Sequence, residues 1–428
     1  MISFEVNWIK GDGTNPLYAN TASELKIVSD ENVLTRVLNK RTETMADSIK
    51  VSLYPLAEWL AFNWWRIHKE PRPDSCPLPT DLLLAHNMAS IGDGFVWPNM
   101  EFFSDDQSML FWFRKTGMAR WESIKYEADF PLWPSSIGLK EFDEEIKSLI
   151  NLTINRLRDL GIQEIPLATI WSDVEAEMSD PEVRAWREVE ARLGYDPDEA
   201  PEPLMREIEE FSMEVGENAA EEILPILNQA ETARLKELHD LSESPGIKAN
   251  FQLVSSEAYA LNGSPPWEIG RTLAYSVREQ VDKKRGPIDN SVLAEVLGIQ
   301  SKDFERTDSA NGLIGLGTRN EATSSVDLHF RRKWSTGRRF EAARFIADYM
   351  TSPAEDKWLP LTDHATFRQK VQRAFAAEFL LPIEELKDFM SEDFSHDNIE
   401  AAADRFHVSP LAVSSHLANH RLIQETPH

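Results

Sequence analysis

The feature that most constrains this chain is where its negative charge lies. The chain of 428 residues carries a formal net charge of −27, and the segment 172–245 alone holds 22 acidic and 6 basic side chains, a net of −16. Unpaired carboxylates are almost never buried. This segment therefore cannot supply a core by itself; it must form amphipathic helices that turn a charged face to water. "KEFDEEIKSLINLTINRLRDLG", just ahead of it, already shows apolar residues at helical spacing. "LGYDPDEAPEPL" (193–204) is a Pro- and Asp-rich turn before a further helix. Such charge is most simply a solvated set of helical faces. The sharper alternative is a surface for a basic partner, or a mimic of nucleic-acid charge, for which Glu207, Glu209, Glu210, Glu214, Glu217, Glu221 and Glu222 are the candidates. A chain this acidic will not coat nucleic acid or anionic membrane non-specifically.

Around that segment the expected fold is α+β in three parts: an N-terminal mixed α/β module (1–138), an acidic helical middle (139–250) and a C-terminal α+β domain (265–423). In the first, "FEVNW" and "SELKIVS" alternate like strands, and "DSIKVSLYPLAEWLAFNWWRIHKEP" reads as a strand followed by a helix with Pro55 in its first turn and Pro71 past its end. Leu56, Leu60, Trp64 and Ile67 repeat at helical spacing, and Trp59 and Trp65 widen that face, so the tryptophans are expected in a core. "GFVWPNMEFFSDDQSMLFWFRK" reads as two strands about a polar turn, and "SIKYEADF" as another strand. In the third part, "NGSPP" is loop punctuation before a helix "PPWEIGRTLAYSVREQ". "NSVLAEVLGIQ" is a short helix capped by Asn290 or Ser291, and "GLIGLGTRN" and "SSVDLHF" are strands.

The single cysteine, Cys76, excludes a disulfide framework and a cysteine zinc site, and nothing around it in "PDSCPLP" suggests a nucleophile. The N-terminus lacks a basic and an apolar signal region, and no run approaches the ~20 apolar residues of a membrane span. The expectation is a cytoplasmic protein with no membrane association.

"RRFEAARFIADYM" (338–350) has the rhythm of a zinc-peptidase helix, with Phe340, Ala343, Ala347 and Met350 as an inward stripe. Arg344 and Asp348, four apart, occupy one face. A zinc peptidase places two histidines at that spacing, with a glutamate after the first as general base. Here those three places hold Arg344, Asp348 and Phe345. Arginine stays protonated and cannot ligate zinc, phenylalanine cannot move a proton, and one aspartate cannot hold the ion.

Taken with "TDHATFRQKVQRAFAAEFLLP" and "AAADRFHVSPLAVSSHLANHRLI", this stretch resembles the ordered signature of ImmA/IrrE-type metallopeptidase-like proteins. An Arg-Phe pair (Arg339-Phe340) opens the helix, a "FAAEFLLP" run lies at 375–382, and a Val-Ser-Pro segment lies at 407–413. The resemblance spans roughly 265–423. It implies a zincin-like fold with its active site erased, since the later helix offers Arg368, Gln369, Lys370 and Val371 where the family supplies an acidic third ligand. Active members of that family cleave repressors and regulators in mobile elements, toxin–antitoxin loci, and phage-defence or stress-response systems. The resemblance therefore implies a regulatory or binding pseudoenzyme in such a setting, without a cofactor and with a protein partner. The alternatives are an enzyme or small-ligand sensor with a remodelled arginine-lined pocket, and a DNA-binding regulator.

Charges of opposite sign are expected in the metal's place: Arg344 and Asp348, with Arg368, Gln369 or Lys370 facing them, form either a salt-bridge network or an anion pocket. "RRKWSTGRR" supplies Arg331, Arg332, Lys333, Arg338 and Arg339 as a local nucleic-acid contact, with an exposed hairpin leading into the helix as the simpler reading. The segment "VSPLAVSSHLANHRLI" also resembles half of a helix-turn-helix. Its His416 and His420, four apart, could chelate a metal, but no acid stands at fixed spacing beside them, which favours surface histidines. The first prediction is that the purified protein carries no stoichiometric zinc, because no set of three ligands converges on the 338–350 helix. Elemental analysis finding about one zinc per chain, lost in Arg344→Ala or Asp348→Ala, would overturn it.

Overall fold

The computed structural model describes residues 2–29, 32–73, 77–113, 124–127, 135–227, 232–253, 263–304, 312–320 and 322–423. Cys76 and the end of "SIKYEADF" lie outside them. The chain forms two compact units, 1–200 and 201–428. The helical stretch expected as a separate middle is divided between the two: each unit takes up the helices whose apolar faces complete its own core.

In the first unit, β1 (Ile2–Trp8) pairs antiparallel with β2 (Ala22–Ser29), with Phe4 opposite Ile27 and Val6 opposite Leu25. Ser23, Leu25, Ile27 and Ser29 alternate inward along β2, which is the period-2 pattern of a half-buried strand. Short α1 (Pro16–Asn20) lies between these strands. β3 (Asn32–Val33) and β6 (Ile49–Ser52) extend that sheet, and β4 (Val37–Asn39) and β5 (Thr44–Ala46) lie between them in sequence. The tryptophan-rich helix is two helices, α2 (Leu53–Phe62) and α3 (Trp64–Lys69), interrupted at Asn63, whose amide side chain bonds Trp59 O. α4 (Thr80–His86) leads to β7 (Met100–Ser104) and β8 (Ser108–Phe113), which pair across the "DDQ" turn. β9 (Ile124–Tyr126) pairs with β4 and β10 (Ser135–Gly138) with β8. α5 (Leu139–Asp159), α6 (Pro166–Ser179) and α7 (Pro181–Arg192) close the core, where Leu56, Leu60, Trp64 and Ile67 meet Ile146, Ile150 and Trp171.

Part of this unit's share of the acidic segment is neutralised internally. Buried Arg187 bonds Glu177, Glu190 and Asp198 at 2.7–2.8 Å, and buried Arg192 bonds Asp106 in the β7–β8 turn at 2.9 Å.

The second unit begins with α8 (Glu202–Val215), α9 (Glu217–Leu227) and α10 (Thr232–Glu243). Its sheet runs β11–β13–β12–β14, all antiparallel, from β11 (Ile247–Ala249), β12 (Gly315–Asn320), β13 (Ser325–His329) and β14 (Trp358–Leu361). The helices are α11 (Pro266–Gln280), α12 (Asn290–Leu297), α13 (Ser335–Thr351), α14 (Phe367–Leu380), α15 (Ile383–Met390), α16 (His396–Phe406) and α17 (Pro410–Asn419). α12 is capped by Asp289, which accepts from Ser291 N and Val292 N, and not by Asn290 or Ser291. Asn290 is drawn away by Arg339, to which its side-chain oxygen is bonded. Gly270 on α11 lets α14 approach closely, since a Cβ there would lie 2.6 Å from Phe375 N.

α13 is the centre of this unit. From Arg338 to Asp348 every residue except Phe340 is buried. The anticipated stripe is therefore too narrow: Phe340 and Met350 are only half-buried, whereas Phe345 is fully buried and packs edge-on against Phe330. A helix covered on nearly every side normally lacks charge. This one carries Arg338, Arg339, Glu341, Arg344 and Asp348 inside, and each needs partners to be tolerated there. No helix among the described residues is long and apolar enough to cross a membrane.

Gly216, between α8 and α9, has φ of +102°, and a Cβ there would lie 2.6 Å from Asp356 Cα and 2.7 Å from its Oδ1. Gly216→Ala should combine backbone strain with a clash and cost about 2–4 kcal/mol by denaturant unfolding. Gly286→Ala, at φ +83° but in open space, should show only the strain, about 1–2 kcal/mol. Equal effects would mean that the close approach to Asp356 is not tight.

Candidate functional site

Arg344 and Asp348 both turn from α13 toward α14, as the four-residue spacing requires, and both are buried, at 3% and 0% exposure. They do not pair with each other. Gln372 of α14 stands between them: its Oε1 accepts from Arg344 Nη2 at 3.1 Å and its Nε2 donates to Asp348 Oδ1 at 2.7 Å. Arg368 supplies the ion pair. Its Nε and Nη2 donate to the two carboxylate oxygens of Asp348 at 2.7 and 2.9 Å, and its Nη1 donates to Asp356 at 2.8 Å. Bidentate arginine–carboxylate pairs are among the strongest hydrogen-bonded contacts in proteins. Burial works against the Arg368 charge, but Asp348, Glu222 and Asp356 outweigh it and hold the guanidinium above its ordinary pKa.

Gln369 continues the seam. Its Oε1 accepts from Arg344 and from Thr362 N, while its Nε2 donates to Glu222 at 2.8 Å and to Pro360 O at 3.0 Å. Thr366, the N-cap of α14, also donates to Glu222, at 2.7 Å. Arg344 Nη2 further donates to Thr362 O at 2.7 Å. Among the described residues no carboxylate lies within ion-pairing distance of Arg344 and its Nε has no hydrogen-bond partner. Burial, aided by Arg373, pushes its pKa down to about 9, so it remains charged at neutral pH. Arg319 closes the far end, bonding Ser352 Oγ and Asp356 O at 2.8 Å, just past the C-terminus of α13, where a cation is favoured.

Several sequence-based assignments change. Glu222 is not a surface residue: α9 turns it into this seam, and it is 7% exposed. Glu207 and Glu221 are half-buried, whereas Glu209, Glu210, Glu214 and Glu217 are exposed. Arg338 and Arg339, at 0% and 3% exposure, cannot touch nucleic acid. Arg339 instead bonds His407 O, Ile288 O and Asn290, joining α13 to two neighbouring turns. Arg331 is bound at 2.7 Å through both terminal nitrogens to Asp363, which leaves only Arg332 and Lys333 of the basic group exposed. Lys370 is half-buried on α14 and Phe345 belongs to the core. His416 is buried rather than superficial, and an acid does stand beside it: Glu378, with Oε2 3.5 Å from His416 Nε2.

The sequence reading missed Gln372, Asp356, Thr362, Thr366 and Arg319. Gln372 was within reach, because it stands one turn after Arg368 on the same face of α14. Glu222 comes from an element far away in sequence and Asp356 from the loop between α13 and β14, and no helical spacing announces either. Comparison with known protein families, with curated proteins and with solved structures finds no match to this chain.

Among the described residues, the seam's acids and the Thr366 hydroxyl are all engaged in hydrogen bonds or ion pairs. The acidic groups each face a cation or an amide donor. Asp348→Ala would strand Arg368 against Asp356 alone and leave Gln372 Nε2 with only a 3.3 Å contact to Pro360 O. Removing one member of a buried pair costs about 3–5 kcal/mol, against ~0–1 for an exposed charge such as Glu209. Urea unfolding should separate Asp348→Ala from Glu209→Ala by that margin. Identical midpoints would mean that the seam does not stabilise the unit.

Proposed function

We propose that this chain is a non-catalytic binding or regulatory protein whose C-terminal half is a degenerate metallopeptidase-like scaffold. The observation that carries this is the saturation of the α13–α14 seam. Where the resemblance to ImmA/IrrE-type proteins expects zinc, its ligands and a base, the chain has Arg344, Asp348, Arg368, Gln369 and Gln372 bonded to one another and to Glu222 and Asp356. A centre filled by its own side chains holds helices together and leaves no open position for a substrate. The settings implied by the resemblance, stress response, toxin–antitoxin or phage defence, belong to the same proposal.

The surface proposed for the partner is the outer face of α8 and the start of α9. Glu209, Glu210, Glu214 and Glu217 are exposed there, and Met213 among them is 74% exposed. An acidic field around one flexible apolar side chain suits a basic protein with an apolar contact point. Self-repulsion of this kind has no role in folding.

A second reading, a small-anion sensor, draws on Arg344, whose buried charge faces amide and carbonyl oxygens rather than a carboxylate. A DNA-binding role loses part of its support with the burial of Arg338 and Arg339, while Arg332 and Lys333 remain exposed.

Affinity capture with the intact protein should recover a basic protein partner whose binding weakens as salt rises and the field is screened over ~8–10 Å. Lysine at Glu209, Glu210 and Glu214 together should reduce that binding without shifting the melting curve. Unchanged binding and unchanged cellular phenotype would defeat the acidic-surface proposal. Loss of function in a fully stable Arg344→Lys protein would favour the anion sensor instead.

A further inference from the structure

We infer that Glu378 of α14, with His416 and His420 of α17, forms a binding site for a divalent transition metal of the zinc class, separate from the α13–α14 seam. The side chains come from two helices that the fold brings together. Val413 and Leu417 anchor α17 in the core, and that rotation sends His416 inward toward α14. His420, one turn on, shares its face. One ligand atom from each of the three residues lies within 4.8 Å of the others, and His416 Nε2 is 3.5 Å from Glu378 Oε2.

The distances suit a metal better than they suit the contacts present. Two ligands each about 2.0–2.1 Å from a tetrahedral zinc are roughly 3.4 Å apart. The Glu378–His416 pair already has that spacing. His420 is half-exposed at the C-cap of α17, so a small rotamer adjustment brings it in. His416 is 5% exposed, yet its Nε2, aimed at this point, has no hydrogen-bond partner. Buried polar atoms are seldom left so, and an ion supplies the missing partner. Glu378 is held ready: its Oε1 accepts from Ile383 N at 3.3 Å, which orients the carboxylate and leaves Oε2 toward the histidines.

Two imidazoles and a carboxylate form a borderline-soft set suited to zinc and its neighbours rather than to magnesium or calcium. Three protein ligands leave a fourth position, and the half-exposed His420 places it toward water. Bound there, the ion would tie α17 to α14 near the end of the chain.

The test uses the full-length, tag-free protein stripped with a chelator and then titrated with zinc against a competing chelating dye. The expected result is one equivalent bound, with a rise in melting temperature. His420→Gln should weaken binding by more than the ~10–100-fold typical of losing an outer-shell contact, and its half-exposed position should leave the metal-free melting curve unchanged. Glu378→Gln should weaken binding likewise, and cobalt in place of zinc should give the visible absorption of a tetrahedral nitrogen–oxygen site only in proteins that keep all three residues. Sub-stoichiometric binding, or equal affinity in wild type and His420→Gln, overturns the inference. Binding lost in Asp348→Asn but kept in His420→Gln would place the metal in the seam, which overturns this site and the proposed pseudoenzyme together.

Discussion

The second unit depends on one ion pair: the two-pronged contact of Arg368 with Asp348. α13 lies at the centre with Ala342, Ala343, Phe345, Ile346 and Ala347 in its core, and no face of it could hold a bare carboxylate. Moving an ion into such surroundings costs several kcal/mol even after relaxation. Asp348 is tolerable because Arg368 and Gln372 together reach both of its oxygens. Those donors stand on α14, so the two helices can pack only in the register that brings them together. An apolar seam would have stabilised the unit at least as well. What the polar one adds is a fixed register and a requirement that α9 be present, since Gln369 and Thr366 both finish on Glu222.

The same requirement accounts for the distribution of acidic residues. A segment so negative looks uniform in sequence, yet its members have separate fates. Glu190 is buried against Arg187, and Glu222 is buried against Thr366 and Gln369. The exposed residues that remain on α8 and the start of α9 cannot be explained by packing, which is why they, and not the whole segment, are the candidate contact surface.

The pattern of local elements was legible from sequence, because hydrophobic period depends on neighbours along the chain. β2, β7, β8, α5 and α11 fall where alternation or 3.6-residue spacing puts them. The direction faced by Arg344 and Asp348 was legible for the same reason. What sequence could not supply were meetings between distant segments. Asp348 and Arg344 are joined through a glutamine rather than to each other, Glu222 crosses from α9, and Arg338 and Arg339 are internal braces. A charged residue's burial is decided by partners that local spacing cannot identify. The cap of α12 differs on a smaller scale: Asp289, Asn290 and Ser291 are all competent caps, but Asn290 is engaged by Arg339 and the Ser291 hydroxyl donates to Asp289, which leaves Asp289 as the cap.

Two polar clusters thus sit on either side of α14, and they differ in kind. On the α13 side, arginine guanidiniums fill the space, and Asp348, Asp356 and Glu222 are each already bonded by a guanidinium or an amide, so a cation arriving there would meet positive charge in place. On the α17 side, two imidazoles and one carboxylate converge, His416 Nε2 is unsatisfied, and no guanidinium bonds the carboxylate among the described residues. The helix that separates them contributes Arg368, Gln369 and Gln372 to the first and Glu378 to the second. An i to i+4 step keeps Arg368 and Gln372 on one face, and six residues beyond Gln372 the helix has turned through about 600°, placing Glu378 some 120° away from it. One helix thus carries the engaged residues of the seam on one face and, about 120° around it, the carboxylate of the proposed metal cluster.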